Sequence, residues 1–396
     1  MFFPLSLSFF TTQIRSVLTG VSESIVKPPK IEFEYFRSKS EEIKLSKEVQ
    51  KKRAQFLARP VRQLDLSRIK SVRELVAAWS ETSIQSRSLA ACAKVYENMI
   101  LDKDRPTIFL GLSGALIAGG LRKVISDLIQ AGFVDVVVST GAIVYQDFYQ
   151  AQGFKHYIGT PDSDDSLLHD LYIDRIYDTY VDEIGFVETD DIIGKIAGSL
   201  EPRKYSTREF MAHLGKYAEK DPNSIIGKAS KFGVPVFVPA IADSSIGIGL
   251  AGLYRSKKQA GKEGLSLDVI RDNYEIAQII LKSRKTGSIY IGGGVPKNYI
   301  NDAAVMLDYT HGHAYSFQIT TDAPHWGGLT GSTLDEAKSW GKISKVATKA
   351  TAYVEATIGL PLVASYVLES KSLRQNRKHL RFAWDGDTLT EIKLSR

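Results

Sequence analysis

The chain has 396 residues, 43% of them hydrophobic and 24% charged, with a formal net charge of +6. That length can bury a large core in one domain or two, and the composition excludes a disordered or fibrous protein. The mild positive balance permits an acidic partner without arguing for nucleic acid, and Cys92, the only cysteine, excludes an intrachain disulfide and a cysteine-built zinc site.

The opening MFFPLSLSFF is apolar enough for the core of a signal peptide. No basic segment precedes it, no clear small-x-small cleavage site follows, and the run is too short to span a bilayer. Residues 1–35, with the breaker KPPK, read as an irregular arm. No other segment reaches about eighteen uncharged apolar residues, so a cytoplasmic protein with no membrane partner is expected. Residues 36–103 read as a helical N-terminal region, with apolar positions at helical spacing in IKSVRELVAAW.

After residue 103 the pattern changes to short apolar runs, each followed by a small-residue turn and an amphipathic stretch. The runs are TIFLGL, VDVVV, VPVFVPA, GSIYIGGG, AYSFQIT and TAYVEA. Repeated strand-then-helix units predict an α/β fold, a doubly wound and mostly parallel sheet of Rossmann-like type, as one domain over 104–370. Within it, residues 154–222 are more polar and read as an insertion or a lobe. Residues 371–396 form a basic tail, KSLRQNRKHLR, read as a solvated terminal helix.

In open α/β sheets ligands bind beyond the carboxyl ends of the strands. Four loops at such ends share one character: GLSGA (111–115), STGA (139–142), GGG (292–294) and HWGGLTGST (325–333). Glycine and small hydroxyl residues just before a helix let backbone N–H groups approach a phosphate, so together the loops predict a nucleotide or dinucleotide site. None is a G-x-G-x-x-G fingerprint or a Walker loop, and no GxSxG elbow appears. Two acids follow strands. Asp243 reads as a helix N-cap or a ligand for a ribose hydroxyl or an amine, Glu355 as a surface charge or the same ligand. The pair His311 and His313 in THGHAY lacks carboxylate neighbours and reads as a loop, so no metal is expected.

Lys342, in SWGKI, has two readings. It is a cation closing a helix, or an amine placed for chemistry. An amine attacks only when neutral, which requires desolvation or nearby cations. Trp340 offers an apolar wall and a face for a cationic substrate, and Gly341 leaves room for an incoming carbonyl or imine.

The segments SGALIAGGLRKVI, GFVDVVVSTGA, IDRIYDTYV, YSTREF, IYIGGGVPKNYI and GGLTGSTLDEAKSWGKI carry a resemblance to the deoxyhypusine synthase family, archaeal-type branch, from about Gly111 to Tyr366. The resemblance implies an NAD-dependent transfer of the aminobutyl group of spermidine through an imine on Lys342. The acceptor it implies is one lysine of translation initiation factor 5A, and the assembly a homotetramer with active sites at a dimer interface. Implied cofactor contacts are Ser113, Gly114, Ala115, Leu116, Thr140, Gly141, Asp243, Gly293, Gly294, Thr321, Gly327, Gly328, Val354 and Glu355. Implied substrate-side positions are Asn298, Glu336 and Trp340.

The chain departs from the eukaryotic pattern of that family. Ile248 and Leu329 stand where carboxylates hold the polyamine, Asn298 replaces a histidine, and Gln146 and Tyr145 replace acids beyond the second loop. Gly114 and Ala115 replace small polar residues. Asp322, Asp335 and Glu336 are candidate replacements for the lost carboxylates, since a buried cationic nitrogen needs a partner. A homospermidine synthase-like transfer to a small diamine, and a non-catalytic NAD-binding or scaffold role, are the alternatives.

Overall fold

The structure, a computed structural model, describes residues 43–307 and 312–395. The chain divides into two compact units, with the boundary after Pro60. In the first, the helix Lys47–Phe56 is capped by Ser46, whose hydroxyl accepts from the Val49 N–H at 3.3 Å, and it buries no residue. The arm expected over 1–35 lies outside the described residues.

The second unit is organised by a six-stranded sheet. Its strands are β1 (Thr107–Leu112), β2 (Val136–Ser139), β3 (Val236–Phe237), β4 (Thr286–Ile291), β5 (His313–Thr320) and β6 (Ile343–Tyr353). They lie in the order β6-β5-β4-β1-β2-β3. All five neighbouring pairs are parallel. Every apolar run singled out in the sequence therefore enters this sheet. The order reverses between β1 and β4, which opens a crevice at their carboxyl ends.

A parallel sheet covered on both faces needs strands that are apolar on both faces, and β1 and β4 are buried at every position. Alternate side chains feed separate cores. Ile108, Leu110 and Leu112 join one, and Phe109, Val136 and Tyr290 the other. On the first face lie α1 (Ile84–Leu101), α2 (Arg122–Gln130), α3 (Gly141–Ala151), α4 (Glu183–Gly198) and α5 (Ser245–Gln259), and also α7 (Ala356–Leu368). On the second face α6 (Gly294–Ala303) and the helix Val269–Lys282 contribute Tyr299, Ile300, Ile276 and Ile279.

Two segments differ from their reading in the sequence. The polar stretch 154–222 is a lobe only in its first part, a three-stranded antiparallel sheet of His156–Ile158, Ile173–Ile176 and Thr179–Asp182. Beyond it, α4 and the helix Thr207–Ala218 bury Ile193, Phe210 and Leu214 in the main core. The polar residues there form a capping box, with the Ser206 side chain on the Glu209 N–H and the Glu209 side chain on the Ser206 N–H.

The basic tail is not a solvated helix. It is a short helix, Lys371–Asn376, followed by an antiparallel hairpin of Leu380–Asp385 and Thr388–Leu394. Arg377 is buried, with Nη2 3.2 Å from Asp135 Oδ2 and 2.9 Å from the Pro106 carbonyl. Asp135 is itself buried at the head of β2, and the guanidinium groups of Arg105 and Arg377 offset its desolvation and hold its carboxyl below the usual range. A tail that reads as surface charge thus supplies a core cation.

Candidate functional site

A cleft of about 520 Å³ opens where β1, β4 and β5 end and α7 begins. Of the expected cofactor contacts, Ser113, Gly114, Ala115, Leu116, Gly293, Thr321 and Glu355 line it. Backbone builds most of it. Gly114 has φ +95°, and a Cβ added there would meet nothing, so the loop presents bare peptide to the cleft. Gly292 has φ +71°, and its added Cβ would lie 2.5 Å from Ser113 Oγ. That close approach lets Ser113 Oγ accept the Gly293 N–H at 2.7 Å, and Thr330 Oγ1 takes the Gly294 N–H at 3.0 Å.

Glu355 serves two purposes. It caps α7, accepting the Thr357 N–H at 2.8 Å, and it stands at the cleft wall. The roles of the two post-strand acids are therefore exchanged relative to the local reading. Ser244, not Asp243, is the N-cap of α5, and Asp243 is exposed outside that helix. Thr140 caps α3 without a side-chain bond, and Gly141 lies so close to Ser244 that no Cβ fits. Thr140, Gly141 and Asp243 thus gather at a second place, where α3 and α5 begin, and do not line the cleft of the same chain. Gly327 (φ +68°) and Gly328 link two short 3-10 turns beyond it, and Val354 packs against the core beside Gly359.

The lysine turn is built differently. Glu336–Ser339 is a single helical turn that ends in a Schellman motif. The Gly341 N–H bonds the Lys338 carbonyl at 3.0 Å, and the Lys342 N–H the Ala337 carbonyl at 3.1 Å. Gly341 adopts φ +73°, so a left-handed chain reversal requires the glycine of W-G-K. The reversal turns Lys342 inward just before β6, and the His313 N–H holds its carbonyl at 3.0 Å.

Lys342 keeps 15% of its side chain exposed, and Nζ lies 2.7 Å from Asp302 Oδ1 and 3.4 Å from Asn298 Oδ1. The Asn298 amide donates to Asp302 Oδ2 at 2.8 Å, which closes the triangle. Trp340 stands 5.3 Å from Nζ, measured to the ring centroid, and is 63% exposed. Glu336 opens the helical turn and is exposed. Of the expected substrate-side residues, Asn298 and Trp340 therefore meet Lys342 directly.

Asp302 is the residue missed in the sequence. Its signal was the spacing of Asn298 and Asp302, four apart on one helix and so on one face, but nothing local ties that face to Lys342. The proposed replacements are placed otherwise. Asp335 pairs with Lys349 at 2.6 Å, and Asp322 faces the cleft. Ile248 and Leu329, at the positions of the lost carboxylates, are exposed. Gln146 and Tyr145 are both buried in α3, and the Tyr145 hydroxyl donates to the Phe186 carbonyl at 2.8 Å.

Lys297, next to Asn298, joins the two places. Buried, it donates to Gln318 Oε1 and the Thr330 carbonyl, each at 3.0 Å, and to the Ser332 carbonyl. Burial pushes its ammonium down to about 8. Gln318 in turn donates to the Gly292 carbonyl at 2.9 Å, so one network runs from the cleft wall to the residue beside Asn298.

Of the histidine pair, His311 lies outside the described residues. His313 is fully buried, donating through Nε2 to the Ile300 carbonyl at 3.3 Å and facing Thr286 Oγ1 at 2.8 Å through Nδ1. Burial lowers it to about 4, so it is a neutral core residue. Among the described residues no group of three His, Cys, Asp or Glu side chains could hold a metal ion. No helix among them is long and apolar enough to cross a membrane.

The architecture defines an α/β protein with a ligand cleft at the winding reversal of a parallel sheet. The family model of deoxyhypusine synthase matches residues 74–367, and the chain belongs to the deoxyhypusine synthase family. A Methanosarcina mazei protein named "Probable deoxyhypusine synthase 2" is 42% identical over 332 residues, 82% of this chain and 94% of its own length. The "Deoxyhypusine synthase-like protein" of Chlorobaculum tepidum is also 42% identical, over 81% of this chain and 92% of its own. The crystal structure of a candidate deoxyhypusine synthase from Entamoeba histolytica superposes with a TM-score of 0.53 at 17% identity. It covers 78% of this chain and 97% of its own, a likeness of fold.

Proposed function

We propose that the protein is an NAD-dependent aminobutyl transferase. On this reading Lys342 takes the four-carbon fragment of spermidine as an imine, and passes it to a lysine of translation initiation factor 5A. The observation that carries the reading is the Lys342 turn. A Schellman glycine aims a largely buried amine at a carboxylate and an amide, beside an exposed indole.

The cleft supports NAD as the cofactor. The winding order is that of dinucleotide-binding sheets, and a cleft of about 520 Å³ is in the size range of cofactor sites. The bare peptide at Gly114 offers the close approach that a pyrophosphate needs. Ser113, Gly114 and Gly293 would hold the phosphates, with Glu355 or Asp322 on a ribose hydroxyl. NAD, when bound, supplies the acceptor of hydride from the amine and its later return.

The chain's own residues bind, orient and exchange amines. Trp340 offers an aromatic face to the cationic donor. Asn298 and Asp302 fix Nζ, and the neutral form of Lys342 is the nucleophile. Lys342 is absent from the walls of its own chain's cleft. This supports an active site completed between two copies, with the lysine turn of one serving the cleft of another, as in a homotetramer.

The test is incubation with NAD and spermidine, borohydride trapping and mass spectrometry. An aminobutyl adduct on Lys342, with label passing to the factor, is the expected result. Label found only in homospermidine after addition of putrescine would move the acceptor to small diamines. No adduct with spermidine or agmatine would overturn the transferase reading.

A further inference from the structure

We infer that Asp302 is the proton relay for amine exchange at Lys342, an inference that rests on the reading of Lys342 as the imine-forming nucleophile. Both oxygens of Asp302 are committed to this place. Oδ1 lies 2.7 Å from Lys342 Nζ, and Oδ2 accepts the Asn298 amide at 2.8 Å. The amide therefore orients the carboxylate toward the lysine. Asp302 is 43% exposed at its side chain where Lys342 is 15% exposed, so the carboxylate reaches both the nucleophile and solvent.

The chemistry needs such a group. When neutral Nζ attacks the carbon of a protonated imine, the Nζ–C bond forms and the π electrons move to the departing nitrogen. Nζ then carries one proton too many, and the departing nitrogen one too few. Asp302 Oδ1 takes the proton from Nζ and returns it to the departing nitrogen as that C–N bond breaks. A protonated imine enters, a protonated imine on Lys342 results, and a neutral amine leaves, so no net proton or electron is consumed.

Asn298 cannot do this, because an amide holds but does not carry a proton at neutral pH. The eukaryotic pattern set out above has a histidine at that position, which can. The structure places a carboxylate one helical turn further on, against the same nitrogen. The other carboxylates considered are elsewhere. Asp335 is held by Lys349 and Lys338, and Asp322 and Glu355 face the cleft.

The experiment follows adduct formation on the full chain by rapid mixing with NAD and spermidine, timed borohydride quenching and mass spectrometry of Lys342. Asp302→Asn keeps the shape and is expected to slow the adduct about 100-fold or more, the usual contribution of positioned proton transfer. Asp302→Glu is expected to recover most of that loss, and formate added to Asp302→Ala part of it. A purely structural role would respond to neither, and thermal melting of each variant separates misfolding from slow chemistry. An Asp302→Asn chain with the wild-type rate overturns the relay, as does a slow one that neither Glu nor formate restores. A wild-type chain that forms no adduct overturns instead the reading on which the relay rests.

Discussion

The cleft and the lysine turn are assembled from opposite materials. The cleft is mostly backbone. Glycines at 114, 292 and 293 remove side chains, and hydroxyls of Ser113 and Thr330 pin the peptide N–H groups. The lysine turn is side chains, a triangle of Lys342, Asp302 and Asn298 drawn from two separate elements. A backbone site is specified by what each loop lacks, whereas a side-chain site is specified by which elements meet. The buried Lys297 and Gln318 network couples the two through hydrogen bonds alone.

The sharpest way to separate them is to remove one and keep the other. Lys342→Ala should abolish the trapped adduct while leaving NAD affinity, measured by calorimetry, largely intact, since glycine backbone and Ser113, not the lysine, build the cleft wall. Lys342→Arg should be equally inactive, because a guanidinium stays charged and forms no imine. An arginine chain that still traps the fragment would break the assignment of the nucleophile.

Arg377→Ala tests whether the core can be damaged without touching either place. It strips Asp135 of one of its two guanidinium partners and takes a donor from the Met99 and Gly132 carbonyls, while Pro106 keeps Arg105. The loss should be about 3 kcal/mol in denaturant unfolding, the low end for a buried pair because Arg105 remains. Below the new melting point, adduct formation should be normal.

Gly293→Ala is the converse of the lysine variants. Its Cβ would fall 2.8 Å from Thr330 Cα, backbone that cannot give way cheaply. NAD binding should weaken about 10-fold, equivalent to about 1.4 kcal/mol of local strain. At saturating NAD the adduct on Lys342 should still form.

A pH-dependent effect concerns the support of the turn. His313 stays neutral down to about 4 when folded, whereas an exposed histidine protonates near 6.5. Between those values the unfolded chain binds more protons, so stability should fall as pH drops from 6.5 to 4, by about 1.4 kcal/mol per pH unit from this one group. Urea unfolding of His313→Asn over that window should show a slope shallower by one proton. An unchanged slope would mean that the imidazole is not the buried neutral group that the geometry requires.

How much was legible beforehand follows the same division. The six strands, their parallel pairing and the glycine loops could be read locally, because apolar runs and glycine positions carry their meaning within a few residues. The lobe is shorter than its polarity suggests, because the polar segment EPRKYSTREF caps a core helix instead of covering a surface insertion. The tail misled for a related reason, since nothing near Arg377 in the chain announces a carboxylate buried at Asp135. Glu355 and Asp243 exchanged roles because the helix start after each strand depends on one residue of register.

By itself, then, the sequence determined a parallel α/β sheet, a glycine-built cleft at its strand ends, and a W-G-K turn with its lysine. Periodicity and backbone freedom are local properties of a chain. Only the tertiary structure decided which acid faces that lysine. Asp302 lies 40 residues before Lys342, on another element, and becomes its partner because packing of α6 on β1, β2 and β4 brings one helical face to the end of a Schellman turn. A pairing between distant side chains is a property of that packing, and no local signal encodes it.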